Sequence, residues 1–205
     1  FHHGQWELYQ DRSGIGSSYY QDFDQKITEE ALKWLRQKND KVSNKPWVLH
    51  VSYPSSHPPF SISKSLYEMY PLEEISLPPL FSRNERPEHP ALQHLRETMG
   101  WGNLEPEILK KIITGYYGLI THLDQQIGLV LEELQKLGMG DNTRVLYTTD
   151  HGEMCGSHGL LGKCNLYEGS VAVPLIMSGP GIPEGEVVEQ IVSHTDIFPT
   201  LVEGM

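Results

Sequence analysis

The chain has 205 residues, a formal net charge of −11, and 38% hydrophobic and 21% charged residues. That length holds one substantial α/β domain rather than two large ones. The acidic balance argues against a nucleic-acid partner, whose phosphates favour a basic surface. The absence of an apolar run approaching about 18 residues argues against a transmembrane helix. An anionic ligand would therefore need a locally positive pocket, supplied by a cation, a lysine and histidines. Two cysteines, Cys155 and Cys164, are too few for a disulfide framework and read as free thiols near a site, with pairing or metal coordination as the alternatives. The opening Phe1-His2-His3-Gly4 resembles neither a start methionine nor a signal peptide. It reads as a beginning in mid-protein, and localisation is left open.

In chain order, residues 1–23 read as connection. Asp24 or Thr28 is expected to cap a helix running to about Lys38, with Ile27, Ala31, Trp34 and Leu35 on one face. Pro46 leads into Trp47–Tyr53, short and β-rich enough for a buried strand. That run ends in Pro54-Ser55-Ser56-His57-Pro58-Pro59-Phe60, a proline-stiffened loop that presents His57 at a strand terminus. Residues 61–104 are irregular and rich in proline, and suggest a lid-like insertion. Trp101 and Met99 either line that lid or pack in the interior.

Pro106 opens the clearest helix, to about Leu137, with a stripe through Leu109, Ile113, Tyr116, Ile120, Leu123, Ile127, Val130 and Leu134. Gly115 and Gly118 either bend it or allow close packing, and Gly138 ends it. His122 and Asp124 read as structural or solvent-facing. Strands are expected at Val145–Thr149, Val173–Met177 and Val187–Val192. His194 reads as structural, and Asp196 as the cap of a last helix.

The stretch from Arg144 to Gly181 carries the chemistry. Asp150 and His151 stand at the C-terminal end of a strand, where open α/β sheets bind ligands. A glycine-punctuated loop follows with Glu153, His158 and Lys163. An acid, two imidazoles and an ammonium there make a candidate anion-and-metal site. Asp150 suits a hard cation, which prefers oxygen ligands. Lys163 offers a compact charge with three donors for a tetrahedral dianion. Glu168 reads as structural, pairing across the loop.

The segment TTDHGEMCGSHGLLGKCNLYEGSVAVPLI resembles the C-terminal active-site half of the sulfatase family, in the alkaline-phosphatase superfamily. The nearest look is to its bacterial choline-sulfatase, arylsulfatase and phosphonate-monoesterase branch. The match runs through Asp150-His151-Gly152, then Gly162-Lys163 eleven and twelve residues past His151, then Tyr167-Glu168-Gly169 and Val173-Pro174-Leu175-Ile176. The resemblance implies an α/β fold with a mostly parallel sheet sandwiched by helices, incomplete at its N-terminus. Residues 1–205 would then be the C-terminal portion of a catalytic domain. It implies a metal-dependent hydrolysis of a small sulfated substrate. Asp150 and His151 would supply half the metal site, most readily for Ca2+, with Mn2+ or Mg2+ as alternatives. His57, from a His-x-Pro-Phe loop, and Lys163 would flank the leaving group, and His158 would touch substrate or brace the loop. Alternatives of the same scaffold are a phosphonate monoester or phosphodiester hydrolase, or a non-catalytic homologue that binds sulfated ligands.

Two departures stand out. The family often carries arginine or glycine where this chain has Ala172. More consequentially, the nucleophile motif Cys/Ser-x-Pro/Ala-x-Arg, the paired aspartates after the first strand and the Gly-Lys-Trp-His segment do not occur in these residues.

Overall fold

A computed structural model describes residues 9–39 and 45–204. Within them run β1 (Gly14–Ile15), α1 (Tyr19–Asn39), β2 (Ser61–Ile62), α2 (Lys64–Tyr67), α3 (Pro90–Thr98) and α4 (Pro106–Lys136). Then follow β3 (Val145–Thr148), α5 (Glu168–Val171), β4 (Leu175–Ser178) and α6 (Ile197–Glu203), with short 3-10 turns between.

The described strands form two pairs: β1–β2 parallel, and β3–β4 antiparallel in a register that sets Val145 opposite Ser178 and Thr148 opposite Leu175. The architecture is mixed, helices around small sheets, and a mostly parallel sheet is visible only in part. Trp47–Tyr53 and Val187–Val192, expected as strands, are not strands here. A strand is defined by its ladder, and no described residue pairs with either. Trp47 instead packs edge-on against Trp34 of α1, ring centroids 5.2 Å apart, while Val187 and Ile191 are almost fully exposed.

Helix α1 begins at Tyr19, upstream of the expected caps. Asp24 and Thr28 lie inside it and are buried. Their partners are on α4: the Thr28 hydroxyl donates to Gln126 Oε1 at 2.9 Å, and His122 Nε2 lies 3.4 Å from Asp24 Oδ2. This polar seam shares the buried side of α4 with its apolar stripe, of which Leu109, Ile113 and Leu134 are buried. His122 and Gln126 are buried while Ile120 is 42% exposed. His122 is therefore structural, and Asp124 faces solvent. At the other end of the helix, Gly138 takes φ +69° and its amide donates to the Gln135 carbonyl at 2.9 Å, as a helix-ending glycine does.

The core gathers Tyr9, Phe60, Ile62, Ile75, Phe81, Trp101, Leu109, Ile112 and Leu160–Leu161 around α4. Residues 61–104 thus supply much of the interior, and Trp101, 1% exposed, is a packing residue. Backbone closeness sets the geometry. A methyl on Gly115 would meet the Phe60 carbonyl oxygen at 2.2 Å, and one on Gly118 would meet Ile62 Cγ2 at 2.8 Å. Both glycines therefore serve close packing rather than a bend. Near the C-terminus, Asp196 is the N-cap position of α6 without a side-chain cap bond there, and a 3-10 turn, His194–Asp196, precedes it with its own cap. Ser193 is that cap, accepting from the Thr195 amide, and Asp196 reaches back to the Ser193 amide at 2.7 Å.

Overpacking against a fixed carbonyl is costly, so Gly115→Ala is expected to destabilise the chain by about 1–3 kcal/mol. Gly128→Ala, with open space around its Cβ, should stabilise by about 0.5–1 kcal/mol. Chemical denaturation of the two variants beside the parent measures both.

Candidate active site

The loop after β3 is held from within. The Met154 amide donates to the Gly162 carbonyl at 2.9 Å and the Gly156 amide to the Leu160 carbonyl at 2.8 Å. Met154, Leu160 and Leu161 enter the core. Gly156, at φ +90°, lies so close to α4 that a methyl there would be 2.4 Å from Leu109 Cδ2. This fold-back delivers Lys163 to the loop presenting His57. Lys163 Nζ lies 3.1 Å from His57 Nε2, although the residues are 106 positions apart.

His57 Nδ1 is 3.2 Å from the Pro58 carbonyl. A carbonyl only accepts, so the ring proton belongs on Nδ1, and Nε2 accepts from the Lys163 ammonium. The residue as a whole is exposed, yet its ring loses water against its surroundings, including Tyr20 at 6.0 Å between centroids. This desolvation lowers the His57 pKa below the ordinary imidazole value, and the charges of Lys163 and His151 push the same way. The Pro58 carbonyl and Asp150 oppose the shift without reversing it.

Asp150 is exposed at the end of β3. Burial would raise its pKa, but His151, the amides of Asp150 and His151 and the Thr149 hydroxyl outweigh it and hold the carboxyl below its usual range. His151 Nδ1 is engaged by the Gly152 carbonyl at 2.9 Å, and its Nε2 lies 3.6 Å from Asp150 Oδ2. The His194 ring donates to the Thr149 carbonyl at 2.8 Å and steadies the residue before Asp150. An ionised carboxylate beside an imidazole whose second nitrogen faces it fits part of a divalent-cation shell. Among the described residues no group of three or more His, Cys, Asp or Glu side chains could complete it.

His158 is used within its own loop. It stacks on Tyr167 with centroids 3.9 Å apart, takes φ +58°, and its carbonyl accepts from Arg96 Nη2 at 2.8 Å and Nε at 3.1 Å. Its ring Nδ1 meets the Ser157 hydroxyl at 2.9 Å. These contacts brace the loop. Both cysteines are free thiols; Cys155 is partly buried and burial pushes its thiol pKa up, while Cys164 is exposed. Glu168 is exposed in the first turn of α5 and forms no ion pair among the described residues.

Three contributors had no sequence signal: Tyr20 against His57, Arg96 under His158, and Tyr9, whose hydroxyl reaches Glu153 Oε2 at 3.4 Å. Each acts across a long sequence separation through a non-periodic contact.

Because His57 is neutral in the folded chain at a pH where it would otherwise begin to protonate, its contribution to stability is present above the unfolded value. That contribution is lost as pH falls through the folded value. An NMR titration should place the His57 midpoint below about 6.5, and Lys163→Ala should move it upward.

The sulfatase family profile matches residues 3–205. The chain is 30% identical over 179 residues to a choline-sulfatase of Rhizobium meliloti, covering 86% of this chain and 35% of that protein. It is 33% identical over 196 residues to arylsulfatase K of Rattus norvegicus, covering 89% and 34%. Among solved structures it superposes on a phosphonate monoester hydrolase of Agrobacterium radiobacter with TM-score 0.74 and 27% identity, covering 97% of this chain and 43% of that one. The chain thus spans about a third of the length of the curated relatives it matches. The family is metal-dependent in general. By its sequence and its fold, this chain belongs to the sulfatase family.

Proposed function

We propose that this chain forms the C-terminal portion of the catalytic domain of a sulfuric ester hydrolase acting on a small sulfated substrate, with residues 61–104 shaping access to the site. The observation that carries this reading is the 3.1 Å contact of Lys163 with His57, close enough to Asp150 and His151 for their charges to be felt at His57. A sulfate ester needs charge stabilisation on its non-bridging oxygens and a proton for its leaving alcohol.

With its imidazole neutral, His57 presents a lone pair on Nε2 and orients the Lys163 ammonium. Lys163 has three donors, so one N–H can rest on His57 while another meets the ester oxygen. Lys163 therefore acts as the charged proton donor to the leaving group, and His57 holds it in line. Asp150 and His151 would hold a divalent cation, most readily Ca2+, with Mn2+ or Mg2+ as alternatives. Such a cation polarises the sulfuryl oxygens when bound. No residue of these 205 stands in a Cys/Ser-x-Pro/Ala-x-Arg motif, so no nucleophile is assigned within them.

The superposition on the phosphonate monoester hydrolase, at TM-score 0.74, favours a second reading on the same scaffold. Paired assays of an aryl sulfate and an aryl phosphonate monoester with the full-length gene product distinguish the two. Faster sulfate turnover supports the first. If neither ester is turned over but inorganic sulfate binds, the protein is a non-catalytic binder.

In the active protein, Lys163→Ala should lower kcat/KM by about 10²–10⁴-fold, the usual scale for losing a positioned proton donor. The 205-residue chain alone should turn over little. Substantial hydrolysis by it would overturn the assignment of roles.

A further inference from the structure

The loop that carries Lys163 is closed around a side chain to which the chemistry above gives no part. Glu153 is partly buried, and its Oε1 accepts from two backbone amides at opposite ends of the loop: Cys155 at 3.1 Å and Gly162 at 2.5 Å. Its Oε2 receives the Tyr9 hydroxyl at 3.4 Å. Tyr9 is itself locked, 4% exposed and edge-on to Phe60 and Trp101 at 5.4 and 6.3 Å. Glu153 follows the Asp150-His151 pair across the single residue Gly152, and the residue after Gly162 is Lys163. One carboxylate therefore ties the strand end bearing the candidate cation pair to the residue beside the ammonium.

We propose that Glu153 is a positioning residue that sets the placement of Lys163 against His57 by clamping the Gly162 amide. The bond at Gly162 is the one that matters. The loop's ladder already joins Met154 to Gly162 through the carbonyl of Gly162. Among the described residues only the carboxylate holds its amide, and two bonds from one segment to the same peptide region fix its rotation as well as its distance. A glycine at φ +65° has no side-chain packing of its own to supply that restraint. Without the clamp, Lys163 keeps its place in sequence but loses its direction. The catalytic meaning of this placement rests on the function proposed above. The placement itself does not.

Conservative variants separate the clamp from general loss of structure. Glu153→Gln keeps an acceptor of the same reach, with its amide group turned to the Tyr9 oxygen. Glu153→Asp keeps the charge but falls one methylene short of Gly162. The readout is nitrogen NMR of the His57 ring in the 205-residue chain, where an Nε2 that accepts from Lys163 differs from a free one. Helix content by circular dichroism monitors folding, and titration with inorganic sulfate reports the anion site.

Glu153→Gln is expected to retain the parent His57 signature and a sulfate affinity within about twofold. Glu153→Asp should lose the signature and bind sulfate about tenfold more weakly, a difference of about 1.4 kcal/mol by the handy factor-of-ten conversion. A parent-like His57 signature in Glu153→Asp would overturn the clamp. So would its loss in Glu153→Gln with helix content intact. If Lys163→Ala leaves sulfate binding unchanged, the functional reading fails, while the His57 spectra still decide the clamp.

Discussion

Helix α4 is the floor on which both halves of the site rest. On one turn Gly115 lets the Phe60 carbonyl approach the helix backbone, which places the loop that starts at Pro54 and presents His57. Less than two turns earlier, Leu109 fills the space left by Gly156, which seats the loop that ends in Lys163. Both approaches are too close for a β-carbon, so neither loop can slide along the helix without a clash. The 3.1 Å separation of Lys163 and His57 is a consequence of these two contacts with a common support.

That support is itself oriented by a polar interaction. Asp24 and Thr28 of α1 face His122 and Gln126 of α4 in the interior, and a buried carboxylate without a complementary partner is expensive. Along this seam His122 and Gln126 of α4 are buried, while Ile120 stays at the surface. Burial on this helix follows pairing as much as hydropathy.

The site divides its labour by exposure. Asp150, His57 and Lys163 are at the surface or half-buried. Glu153 and Arg96 lie behind them and act on backbone groups, the Gly162 and Cys155 amides and the His158 carbonyl, while the Tyr9 hydroxyl holds the Glu153 carboxylate. His158 joins the second group. Its positive φ, its stack on Tyr167 and its bonds through Arg96 and Ser157 spend its contacts on the loop.

The candidate site was proposed from the sequence because its motif is local. Asp150-His151-Gly152, the spacing to Gly162-Lys163 and the proline-braced His57 carry their chemistry in residue type and order. Helix α4 was equally plain, from Pro106 at its start to Gly138 at its end, since helix signals are local too. What the tertiary structure decided was every feature that needs a partner distant in the chain. Strand pairing is one, and it left Trp47–Tyr53 and Val187–Val192 without ladders. The inward turn of His122 toward Asp24 is another, as is the start of α1 at Tyr19. So is the hydrogen bond that makes His57 an acceptor from Lys163. Periodicity and motif spacing describe a residue and its near neighbours, whereas burial, tautomer and clamp depend on which distant backbone the fold brings within 3 Å or so.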